Sequence, residues 1–156
     1  MSLWLYYCQA MDPKYTGTFL EVVGAAATPD SSDPQTILHR AYNNIIQGDF
    51  NSFGEYLADN VELHICGLGA LDGTWRGREE VLAATRRNFA EVADQKPEVE
   101  GMISQGDSIA VLLRESGMFK SSGQTYSGRG VQWFTFAGGK IRKIDEIVAS
   151  IWKVES

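Results

Sequence analysis

Residues 108–153 read SIAVLLRESGMFKSSGQTYSGRGVQWFTFAGGKIRKIDEIVASIWK. Three runs within them, Ser108–Lys120, Tyr126–Ala137 and Lys140–Lys153, are rich in β-branched and aromatic residues, the composition of strands. Ser122-Gly123-Gln124 and Gly138-Gly139 separate the runs, and both suit hairpin turns. A fourth run, Glu98–Ser104, precedes them across Gly106-Asp107. Four strands in succession with short turns make an antiparallel meander, and long strands of this kind can curl into an open cone.

Upstream, the periodicity changes to that of helices. Asp33 is a good N-cap and Pro34 suits the first helical position, where its missing N–H costs nothing. Ile37, Leu38, Ala41, Tyr42, Ile45 and Ile46 then recur on one face, and Gly48 is placed to end the helix. A short second helix is expected at about Asn51–Leu57, a strand over Val61–Cys66, and a glycine-rich loop over Gly67–Gly77. A third helix follows from Arg78 to about Asp94, with Val81, Leu82, Thr85, Phe89 and Val92 on one face. This order is α+β: a curved antiparallel sheet with three N-terminal helices enclosing an apolar pocket.

At 156 residues the chain can bury one core without staples. Residues 1–32 differ in composition and end in the small-residue linker Gly24–Ser32, so they read as an N-terminal extension, either an extra hairpin or a loosely ordered leader. The domain proper is then 33–156. A net charge of −6, with no basic cluster denser than Arg86-Arg87 or Lys140–Lys143, argues against nucleic acid. The apolar run Leu3–Tyr7 is too short to span a bilayer and lacks a charged leader, so no membrane partner is expected. Cys8 and Cys66 stand far apart and read as free thiols, which fits a cytoplasmic protein.

Four stretches carry a family resemblance. Gly48-Asp49-Phe50 resembles the boundary after the first helix of the ketosteroid-isomerase and SnoaL-like group, and Leu57–His64 resembles its entry into the first strand. Gly67–Val81 is similar to its glycine-spaced loop opening the third helix, and Phe134–Ile141 to its final hairpin. Together they cover about Asp33–Ser150 and imply a SnoaL-like domain of the nuclear-transport-factor-2-like superfamily. That scaffold hosts isomerases, cyclases, hydrolases, dehydratases and non-enzymes, so fold alone does not choose among them.

The residues narrow the choice. In the ketosteroid-isomerase resemblance the base position falls on Ile65, which cannot take a proton. The tyrosine position falls on Ala41, one residue from Tyr42, and the second acid on Gln132. The epoxide-hydrolase-like relatives keep an acid that matches Glu146, but their inward arginine–acid pair would have to come from Arg114 and Glu115. Those two are adjacent and point to opposite faces. Dehydratase-like histidine and tyrosine positions do not match His39, His64 and Tyr42.

Glu146 is therefore the leading catalytic candidate, with Tyr42 and Gln132 beside it. By alternation Glu146 shares a face with Ile144 and Val148, and the resemblance turns that face toward the pocket; a slip in parity would turn Asp145 inward instead. An apolar wall would raise its pKa toward neutrality, as suits a general acid or base. Tyr42 could equally be a core tyrosine bonded to backbone. Ile65, Trp75, Phe134, Ile144 and Val148 are the expected ligand-binding residues, Trp75 as a lid or simply packed on the third helix.

His64 should face away from the pocket. With two histidines and no metal-spaced cluster, no metal and no cofactor are expected. The expected ligand is a small apolar molecule bearing a carbonyl or hydroxyl. It would be either the substrate of a cofactor-independent isomerase, cyclase, hydrolase or dehydratase, or the cargo of a non-catalytic binding or association module. A homodimer is expected through the outer face of the sheet, where Val131, Trp133 and Thr135 alternate against Gln132 and Phe134.

Overall fold

The computed structural model describes residues 33–152, with side chains to Val148. The expected extension over 1–32 lies outside the described residues. The elements are α1 (Pro34–Ile46), α2 (Phe50–Gly54), β1 (Leu57–Cys66), a 3-10 turn (Gly69–Leu71), β2 (Gly73–Arg76), α3 (Arg78–Glu91), β3 (Val92–Gln105), β4 (Ser108–Phe119), β5 (Thr125–Ala137) and β6 (Lys140–Trp152). The six strands form one sheet in the order β2-β1-β6-β5-β4-β3. Neighbours run antiparallel except β1, which lies parallel to β6. The α+β class, the three helices and the meander are as the sequence implies.

Each element has a local cause. Asp33 accepts a hydrogen bond from the Thr36 N–H at 2.9 Å and caps α1, and Asp49 caps α2 through the Ser52 N–H at 3.0 Å. Glu79 and Glu80 sit in the first turn of α3, where the helix dipole favours negative charge. Gly138 and Gly139 both have positive φ, 57° and 71°, as a two-residue hairpin turn requires, and so Ala137 pairs with Lys140.

Several boundaries differ from the sequence reading, and α2 ends at Gly54 rather than at about Leu57. Residues 73–76, expected as loop, form the edge strand β2, where Leu63 faces Trp75 and Ile65 faces Gly73. β1 starts at Leu57 rather than Val61, because the Ile141 N–H bonds to the Tyr56 carbonyl at 2.7 Å and draws the chain onto β6. α3 passes into β3 at Val92 without a loop; Val92 pairs with Phe119, and Asp94 takes up the turn at φ 52°.

The core lies between the helices and one face of the sheet. Ile37, Leu38 and Ala41 of α1 and Val81 and Leu82 of α3 pack with Ile109, Val111, Phe134, Phe136, Ile141 and Ile144. Among the described residues no helix is long and apolar enough to cross a membrane.

Candidate functional site

A cavity of about 250 Å³ lies between the inner face of the sheet and helices α1 and α3. Its walls are largely apolar: Leu38, Ala41, Ile45 and Ile46 from α1, Phe89 from α3, and Leu63, Ile65, Leu113, Phe134 and Ile144 from the strands. Hydrogen-bonding side chains also line it, among them Tyr42, Glu115, Tyr126, Gln132 and Glu146. An apolar pocket with a few convergent polar groups is the usual form of a small-molecule site.

Three of those groups form one chain of hydrogen bonds. Gln132 and Glu146 are direct neighbours across β5 and β6, and Ile65 lies beside Glu146 across β1 and β6. The Gln132 amide donates from Nε2 to Glu146 Oε2 at 3.1 Å, and the Tyr42 hydroxyl donates to Gln132 Oε1. The Tyr42 ring meets Phe134 edge-on, with centroids 5.8 Å apart, which fixes the phenol against the cavity wall.

Burial pushes the Glu146 carboxyl up to about 7, the charge of Glu115 adds to the rise, and the Gln132 N–H opposes it. Burial, then the charge of Glu146, pushes the Tyr42 phenol up as well, so it keeps its proton and serves as a donor. Glu146 is thus an acid near half-ionisation at neutral pH, oriented by a neutral relay.

A second pair stands beside the first. On β4 the even alternation of Ile109, Val111 and Leu113 continues to Glu115, which faces inward, while Arg114 turns outward to Glu100 at 2.9 Å. Tyr126 of β5 donates its hydroxyl to Glu115. The Tyr126 ring lies over Gly117, where a Cβ would come within 2.9 Å of it, so only glycine leaves room for this pair. Burial and then Glu115 push the Tyr126 phenol up, which keeps it protonated.

Of the expected site residues, Glu146, Tyr42, Gln132, Ile65, Phe134 and Ile144 meet at the cavity. Val148 borders only a smaller recess that opens beside Glu146 and Glu115. Trp75 does not line the cavity. Its ring folds over Gly73 on the edge strand and under the Arg87 guanidinium of α3, 5.2 Å from the ring centroid, which corrects the lid reading. His64 faces outward as expected, 3.6 Å from Asp145, which Lys143 also holds at 2.8 Å. Glu115 and Tyr126 were not among the expected residues.

The match to known proteins agrees with this architecture. Residues 38–144 match the family model of the SnoaL-like domain, so the chain belongs to that family. Among solved structures it resembles an NTF2-like protein of Burkholderia xenovorans, with 21% identity over 78% of this chain and 92% of that one and a TM-score of 0.66. TerC, co-crystallised with polyporic acid, is 19% identical over 74% of this chain and 90% of its own, with a TM-score of 0.63. An epoxide hydrolase of M. tuberculosis is 13% identical over 77% and 85%, with a TM-score of 0.61. Identities this low show a shared fold. No curated protein matches the chain.

Proposed function

We propose that this protein is an acid–base enzyme that needs no cofactor and acts on a small apolar molecule carrying a carbonyl or hydroxyl, with Glu146 moving the proton. The observation that carries this reading is the placement of Glu146. Its carboxyl sits on the wall of an apolar cavity, pushed up to about 7 by burial and by Glu115. At neutral pH both its forms are populated. One side chain can therefore give a proton to a ligand oxygen or take one from the carbon beside a carbonyl.

Gln132 and Tyr42 serve as positioning residues in this scheme. Gln132 donates to Glu146 and so favours the carboxylate, offsetting part of the rise that burial causes. Tyr42 fixes which way the Gln132 amide faces. Apolar walls exclude water from the rest of the ligand and strengthen the electrostatics at the one polar end.

The test is solvent-deuterium exchange at carbons next to the carbonyl in a panel of apolar cyclic and aryl ketones. Wild-type protein should speed the exchange, and Glu146→Gln should lower it by about 10²–10⁴. Ketones that bind without exchanging would show a binding module instead. Undiminished exchange in Glu146→Gln would remove Glu146 from the mechanism.

A further inference from the structure

We propose that the recess between Glu115 and Glu146 holds the reacting water of this site, and that Glu115 is its base, so that the enzyme adds water to a conjugated ketone and removes it from a β-hydroxy ketone. The inference rests on the acid–base reading of Glu146 and extends it to a second carboxyl and a substrate class.

The recess opens off the apolar cavity and measures about 30 Å³. That suffices for a water, which needs roughly 10–15 Å³ of such space and 2–4 polar partners. Glu115, Tyr126, Gln132 and Glu146 border it, so the partners are present. Its floor is β5 at Gly128 and Gly130. Glu115 faces Gly128 across the β4–β5 register, and Glu146 faces Gln132 across β5–β6. The two carboxyls thus stand on either side of β5 with no β5 side chain at 128 or 130 between them.

Gly130 also cannot be replaced cheaply, because a Cβ there would come within 2.8 Å of the Ile147 carbonyl. Arg129 reaches the rim, but its guanidinium turns to Glu100 on the other face, with Nε at 2.8 Å. Among the described residues no Lys, Arg or His lines the main cavity. The donors seen on the two carboxyls are neutral: Tyr126 for Glu115 and Gln132 for Glu146.

The placement assigns the roles. Tyr126 keeps its proton and donates to Glu115, which holds the Glu115 carboxyl at the recess as the acceptor for the water's proton. Glu146, on the apolar wall, supplies the proton. The sites of proton loss and proton gain lie on strands separated by β5.

A conjugated ketone suits such a pair, because its β-carbon accepts the water while the α-carbon beside the carbonyl takes the proton that Glu146 moves. In the forward step the water oxygen bonds to the β-carbon and the water gives a proton to Glu115. The π electrons of the C=C bond move to the α-carbon, which takes the proton of Glu146. Exchange with solvent water then returns a proton to Glu146 and removes one from Glu115. One water has then been added across the C=C bond, and both carboxyls are as they began.

The experiment uses the full chain with apolar cyclic enones and their β-hydroxy ketones in deuterated water. Hydration is followed by loss of enone absorbance and by NMR, and deuterium exchange on saturated ketones is measured alongside. Wild-type protein should interconvert the two with addition to one face. Glu115→Gln should lower the ratio of hydration to exchange by about 10² or more. Tyr126→Phe removes the hydroxyl that positions Glu115, so it too should lower the ratio of hydration to exchange. Cooperative thermal unfolding of each variant confirms the fold.

Exchange without any hydration by wild-type protein would overturn this inference and leave the role of Glu146 standing. So would opening of epoxides without hydration of enones, or an unchanged ratio of hydration to exchange in both Glu115→Gln and Tyr126→Phe. Absence of both exchange and hydration would overturn the proposed function and this inference with it.

Discussion

Replacing Glu146 by glutamine should make the fold more stable at alkaline pH while removing the proton it moves. In the folded protein the Glu146 carboxyl titrates at about 7, against 4.5 for an ordinary glutamate. Below the lower value it is protonated whether the chain is folded or not, and it costs nothing. Between the two values the folded state holds a proton that the unfolded state has released, so stability falls as pH rises. Above the upper value the group is ionised in both states and the full cost is present. At about 1.36 kcal/mol per pH unit the gap amounts to about 3 kcal/mol.

Glutamine cannot ionise, and its side-chain oxygen can still accept the Gln132 N–H. The variant should therefore match the wild type near pH 4.5 and exceed it by up to about 3 kcal/mol at pH 8, which is ~6–12 °C in Tm at 2–4 °C per kcal/mol. Urea unfolding of both proteins at the two pH values measures the difference. A difference that does not change with pH would refute the burial of an ionising Glu146.

Tyr42→Phe strips the donor from Gln132 Oε1 and leaves that oxygen unpaired at the cavity wall, so it should cost about 1–3 kcal/mol in unfolding free energy and slow ketone exchange. An unchanged melt with unchanged exchange would mean the relay is idle. The outer face of the sheet exposes Leu112, Trp133 and Ile147, with Leu112, Val131 and Ile147 in one row across three strands. A homodimer is expected through this face; light scattering should give twice 17.2 kDa at micromolar concentration, and Trp133→Glu should halve it. A wild-type monomer would contradict that. A chain beginning at Ser32 should keep cooperative thermal unfolding, and loss of it would make residues 1–32 part of the fold.

The parts of the fold that repeat a short-range rule were legible in the sequence. Asp33-Pro34 marks where α1 begins, and Gly138-Gly139 marks the turn that sets the β5–β6 register. Alternation put Glu146 on the face of Ile144, the family resemblance turned that face inward, and Asp145 is left to His64 and Lys143 outside. Glu115 and Tyr126 obeyed the same parity, Glu115 with Val111 and Leu113, and Tyr126 with Phe134 and Phe136. They were missed because Arg114-Glu115 was weighed only as a pair that had to face one way, and Tyr126 only as the first residue of a strand.

What was not legible depends on contacts between segments distant in sequence. β2 is four residues between glycines, and only its pairing with Leu63 and Ile65 makes it a strand. The parallel approach of β1 to β6 joins residues about eighty positions apart, and no local pattern announces it. Trp75 sits in the flexible-looking glycine loop of the sequence, but the choice between cavity and helix was made by Arg87 and by the space over Gly73.

The most direct test of the central claim is the titration of Glu146 itself. Carbon-13 NMR of glutamate side-chain carboxyls, with the Glu146 signal assigned by its absence in Glu146→Gln, reads the ionisation of this one group. The account predicts a midpoint of about 7. A midpoint near the ordinary glutamate value of 4.5 would mean that water reaches the carboxyl freely, and Glu146 would not be the acid of this site.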